Sequence, residues 1–138
     1  MNGGKKEKSK MSTPCGITIK TKKGYETIYV HSDGYPEYMW PMLTENYNSE
    51  ELAVKLVSMG DASCIDEKLD PSDKLHRFGR REEGVSVFYH RDRGDDWLDV
   101  APAVYEKKYI LNWFYYYYIW EDGHWNFYKD GNLQSQYQ

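Results

Sequence analysis

The sequence predicts an α+β fold: an antiparallel sheet of about five strands with short helices packed on one face. Three observations lead there. Strand-type alternation stands near both ends of the chain, helical spacing gathers between residues 36 and 60, and Asp122-Gly123 is a two-residue hairpin signal. Strands at the ends with helices between them is the α+β pattern. The 138 residues are 40% hydrophobic and 29% charged, enough for one core and one domain.

Residues 1–13 combine glycine, lysine and serine without apolar periodicity and read as a disordered basic leader, leaving 14–138 as the domain. Ile17 and Ile19 alternate with Thr18 and Lys20, Lys22-Lys23-Gly24 makes a turn, and residues 25–31 form the second arm of a hairpin. Pro36 suits the first turn of a helix, where its missing N–H costs nothing, and Met39, Leu43 and Tyr47 follow at helical spacing. Asn48 is placed to cap a second helix, with Leu52, Leu56 and Met59 as its apolar stripe and Gly60 as its stop. Residues 61–84 are polar and read as a long loop with a turn of helix near 65–69. A third strand is expected at 85–90, a short helix at 103–112, and a last hairpin from 114–120 and 124–129. The order is thus β-β-α-α-loop-β-α-β-β.

Charge is uneven. Residues 1–23 hold seven lysines against Glu7, a net +6, and the remainder has eleven cations against twenty-one anions, a net −10. So acidic a body repels phosphate backbones, which argues against direct nucleic-acid binding by the folded part. The most apolar run, 110–120, is too short and too rich in tyrosine to cross a bilayer, so neither a membrane partner nor a secretory route is expected and the location is read as cytoplasmic. Cys15 and Cys64 provide neither a disulfide framework nor a four-cysteine zinc site. Phosphate-loop, zinc-protease, CxxC and GxSxG signatures are missing, so the reading is a binding protein, without cofactor or metal, rather than an enzyme. Asp92, Asp95, Asp96 and Asp99 read as a solvated, self-paired loop in preference to a cation site.

The cations also differ in kind along the chain. All five arginines, Arg77, Arg80, Arg81, Arg91 and Arg93, fall within 77–93, and lysine supplies every other positive side chain. Guanidinium groups bind phosphate bidentately and stack on rings, which lysine does not match. His31 and His90 each end an expected strand, so the segments 31–36 and 90–97 are expected to converge. The arginines, with His31, Asp33, Tyr35, His90 and Trp97, and with Tyr89 alongside, would then line a pocket for a nucleotide-like ligand. The alternative is that the arginines pair with Asp33, Glu82, Glu83, Asp92, Asp95 and Asp96 and only fix loops. In the aromatic run, Tyr115, Tyr117 and Ile119 fall on one sheet face, and Phe114, Tyr116, Tyr118 and Trp120 on the other. Two aromatic faces predict a subunit or partner interface through Tyr115, Tyr116, Tyr117, Tyr118 and Trp120, and hence a homo-oligomer.

From Met11 the chain resembles a group of small proteins encoded by phages and mobile elements. The residues that carry the resemblance are H-S-D-G-Y-P-E-Y at 31–38, E-N-Y-N at 45–48, M-G-D-A-S at 59–63, H-R-D-R-G-D-D-W at 90–97 and D-G-H-W at 122–125. It covers roughly residues 11–128 and implies context rather than catalytic residues. That context is an accessory protein that counters host immunity by non-catalytic binding. One mechanism is sequestration of a nucleotide-like immune signal; another is anti-CRISPR-type inhibition, with the acidic surface blocking a host nuclease or effector. A third is a regulatory or assembly module.

Overall fold

The computed structural model describes residues 12–108 and 112–134. The expected leader, apart from its last two residues, and part of the expected 103–112 helix lie outside the described residues. Ser12 and Thr13 are tied to the body, through a Ser12–His31 hydrogen bond of 2.8 Å and the Gly34 N–H donating to the Thr13 carbonyl at 2.7 Å.

The class is α+β, but the sheet is mixed and has eight strands rather than five antiparallel ones. β1 (Cys15–Thr21) and β2 (Gly24–Val30) form the expected hairpin, pairing Cys15 with Val30 and Thr21 with Gly24. β6 (Tyr116–Glu121) and β7 (His124–Lys129) form the other, around Asp122 at φ 56° and Gly123 at φ 83°. Both central residues are left-handed, as a type I′ turn requires. A second Asp-Gly turn, Asp130 and Gly131, adds β8 (Asn132–Leu133). The two hairpins join through β1 and β6, which run parallel with Gly16 beside Tyr117 and Ile19 beside Trp120.

β2 shares its outer edge between two short strands. β5 (Ala103–Tyr105) pairs antiparallel with its first half, and β3 (Ala62–Cys64) meets Val30 in parallel and carries β4 (Val87–Phe88) beyond it. Residues 103–105 are therefore strand where a helix was expected. Gly24 is required here, because a Cβ on it would collide with the Tyr105 carbonyl. The strand expected at 85–90 is reduced to β4, because its last two residues already belong to a short helix, and no helix forms at 65–69.

α1 (Pro36–Asn46) starts at Pro36 as expected and carries Pro41 in its interior. α2 (Glu50–Ser58) is capped by Ser49, whose hydroxyl accepts the Leu52 N–H, not by Asn48. Of its expected stripe, Leu56 is buried and Met59 packs against the core, but Leu52 faces away. Ala53, Leu56 and Val57 are buried, and Leu52 is exposed. α3 (Tyr89–Arg93) and α4 (Trp97–Val100) are single turns after β4.

The main core lies between the helices and one sheet face, where Ile17, Ile28, Met39, Leu43, Leu56, Tyr118 and Phe127 are essentially inaccessible. Buried aromatics need partners for their polar ends. Tyr118 donates to the Gly34 carbonyl at 2.8 Å and Trp125 Nε1 to the Tyr47 carbonyl at 3.0 Å. A second cluster, Tyr117, Ile119 and Tyr128 with Tyr25, Tyr105 and Phe114, covers the opposite face. Gly16 allows it, since a Cβ there would collide with the Tyr117 ring.

Candidate functional site

The two segments expected to converge lie one strand apart. The His31 N–H donates to the Ala62 carbonyl and the Tyr89 N–H to the Asp61 carbonyl, which places them on either side of the start of β3. The 77–81 loop is laid against α3 by the Phe78 N–H, which donates to the Asp92 carbonyl at 2.8 Å. The segments are thus neighbours, and four of the five guanidinium groups are paired with the chain's own carboxylates.

Arg91 is built into a knot. Its Nε and Nη2 donate to Asp92 at 2.8 and 3.0 Å, Nη1 to the Leu69 carbonyl at 2.8 Å and Nη2 to the Ser86 carbonyl at 3.0 Å, and the group lies over Phe88. Asp92 also accepts the Phe88 N–H at 2.8 Å, and His76 Nε2 is 3.3 Å away. His76 Nδ1 accepts the Glu82 N–H, so Nε2 carries the ring proton. Burial pushes the Asp92 carboxyl up, but the Arg91 and Phe88 hydrogen bonds outweigh it and hold the group below the usual aspartate range.

Arg93 grips Asp95 with two bonds of 2.8 Å and stacks on Tyr89 and Phe78. Arg80 pairs with Asp73 at 3.3 Å, and Arg81 pairs with Asp66 at 3.4 Å and donates to Cys64 Sγ. Only Arg77, which is exposed, has no carboxylate partner among the described residues. The self-pairing alternative is therefore the geometry found, although Asp66 and Asp73 replace most of the acids expected for it. His31 Nδ1 bonds the Tyr29 hydroxyl at 2.6 Å, and His90 Nδ1 bonds the Asp95 carbonyl at 2.9 Å with its ring edge-on to Trp97. Asp33 occupies a left-handed turn, and Tyr35 precedes α1 as its N-cap residue.

The expected aromatic interface is also largely used inside the chain. Tyr117, Tyr118 and Trp120 are buried in the two clusters and Tyr116 is half-buried, because the sheet has its own cover on both faces; Tyr115 alone is exposed. Cys15 is fully buried, which pushes its thiol far above the usual range and suits packing rather than nucleophilic chemistry. No group of three or more metal-ligating side chains exists among the described residues, nor is any helix among them long and apolar enough to cross a membrane.

Among the described residues, two concave features have no arginine in their lining. The first is a groove of about 320 Å³ along α1. Glu37, Pro41 and Glu45 recur at i, i+4 and i+8, so they form one stripe, while Glu67 stands on another segment and Tyr38 and Met42 supply apolar surface. The three glutamates are exposed, and no lysine or arginine pairs with them among the described residues.

The second is a cavity of about 240 Å³ on the second sheet face, lined by Tyr29, Tyr105, Trp113, Phe114 and Tyr117 together with Asp61 and Asp99. Its rings brace one another: Tyr29 on Phe114 at 5.6 Å, Phe114 edge-on to Tyr117 at 5.4 Å, and Tyr105 edge-on to Trp113 at 5.8 Å. Asp61 accepts the Tyr29 N–H at 2.9 Å. Burial raises its carboxyl above the usual range, with that hydrogen bond opposing. Sequence reasoning misses this site because its walls come from four separate stretches, 27–29, 61, 99–105 and 113–117. The only local signal is Trp113 beside the tyrosine run. No family model, curated protein or solved structure matches the chain.

Proposed function

We propose that the protein is a non-catalytic inhibitor whose acidic surface occupies a basic, nucleic-acid-handling groove on a partner protein. In the phage context that the sequence resemblance implies, the partner is a host defence nuclease or effector. One observation carries the reading. Four of the five arginines are paired with the chain's own carboxylates, while Glu37, Glu45 and Glu67 line an open groove and, among the described residues, pair with no lysine or arginine. An acidic groove with Tyr38 and Met42 beside it suits lysine or arginine side chains, whose stems are apolar and whose heads are charged. That pairing is why the inhibitor reading is preferred here to the nucleotide pocket.

The test is binding to purified host nucleases across a salt series, with duplex DNA as competitor. Affinity is expected to fall steeply between low and physiological salt, DNA to compete, and the combined change Glu37→Gln, Glu45→Gln and Glu67→Gln to slow association. Affinity that is indifferent to salt and to these changes refutes the proposal.

A further inference from the structure

We propose that the cavity on the second sheet face is a binding site for a compact organic cation of the alkylated-ammonium type, held by Trp113 and the neighbouring rings and neutralised by Asp61 and Asp99. The inference is independent of the inhibitor reading, which concerns the opposite side of the sheet.

Sign comes first. Asp61 and Asp99 line the cavity and, among the described residues, no lysine, arginine or histidine does, so an anion is repelled and a cation attracted. Asp61 is partly withdrawn from water and accepts one backbone N–H, and no lysine or arginine pairs with it among the described residues. A bound cation supplies that match.

The walls then set the kind of cation. A bare metal ion demands several oxygen ligands, and the described residues provide no such group here. A quaternary or alkylated ammonium instead presents diffuse charge and methyl groups, for which aromatic faces are the preferred lining. Trp, Tyr and Phe all contribute, and Trp113 is held by Tyr105 although it is 69% exposed. An exposed tryptophan fixed at the mouth of an aromatic cavity is unusual for packing alone and ordinary for ligand capture. At about 240 Å³ the space is below the roughly 300–1,000 Å³ of sites for drug-sized molecules, so the ligand is small or is one side chain.

Tyr25 and Tyr128, on the same face as the cavity, already meet ammonium groups: Lys20 lies 5.9 Å from the centre of the Tyr25 ring, and Lys108 donates to the Tyr128 hydroxyl at 2.9 Å while paired with Glu121 at 2.9 Å.

The experiment titrates the full chain with choline and, separately, with a trimethyl-lysine peptide, reading tryptophan fluorescence and heat. Saturable binding of either is expected, choline alone indicating a free metabolite and tighter peptide binding a protein-borne side chain. Trp113→Ala, on the surface, and Asp61→Asn, which keeps an oxygen for the Tyr29 N–H, should each weaken it by roughly tenfold, the scale of a desolvated cation–π contact. 3,3-Dimethylbutanol, the neutral analogue of choline, should not bind. Equal binding of that analogue, no binding of either cation, or affinity unchanged in both variants overturns the proposal.

Discussion

Replacing Asp92 with alanine tests whether the arginine cluster is architecture or a binding surface. The side chain is 3% exposed and holds the Phe88 N–H and two donors of Arg91, with His76 Nε2 at 3.3 Å. Removing it leaves a buried amide without an acceptor and a guanidinium without its counter-charge. Breaking a buried pair by deleting one partner costs about 3–5 kcal/mol. Arg91 keeps 24% of its side-chain exposure and its bonds to the Leu69 and Ser86 carbonyls, so the low end applies, about 3 kcal/mol. For a chain of this size that lowers Tm by roughly 10 °C. Denaturant unfolding followed by tryptophan fluorescence measures it. The pH dependence provides a second reading. Asp92 titrates below its ordinary 3.8 in the folded state, so its contribution is complete above that value and disappears as pH falls through the lower folded one. The gap between the wild type and Asp92→Asn should therefore close in acid. An Asp92→Ala protein within about 0.5 kcal/mol of the wild type, the range of ordinary surface changes, would refute the reasoning and return Arg91 to the pool of ligand-binding groups.

Two further changes probe the other sheet face. Gly16→Ala drives a methyl group into the Tyr117 ring and should destabilise by about 1–3 kcal/mol, visible as a lower denaturation midpoint with an unchanged slope. Asp61→Asn should stabilise the fold at neutral pH. Burial raises the Asp61 carboxyl, so its contribution is greatest in acid and is lost as pH rises through the folded value; the amide removes that loss, and a melting series from pH 4 to 8 should show the variant gaining on the wild type.

Both long hairpins are legible in the sequence, because Ile17 and Ile19 alternate and Asp122-Gly123 names its own turn. Asp130-Gly131 carries the same signal, and among the described residues two strand residues follow it. β3 and β4, at three and two residues, are too short to display a period. β5 is strand because β2 offers it an edge, a tertiary cause that overrides local preference. The aromatic run divides between faces as alternation requires, with Tyr118 and Trp120 on one side and Tyr117 and Ile119 on the other. What alternation does not reveal is that both sides find cover within the chain. The arginines pose the same difficulty: their spacing is visible, but their partners Asp66 and Asp73 come from a loop whose path the sequence does not specify.

The parallel ladder between β1 and β6 has a consequence for biosynthesis. Its strands are about a hundred residues apart along the chain, and closing so long a loop carries a large entropic cost before any ladder contact compensates. On the ribosome, β1 therefore has an unpaired flank until the segment around Trp120 has emerged. The sheet is completed only once β6 and β7 are available, and a nascent chain stalled before that point presents a sticky edge to its neighbours.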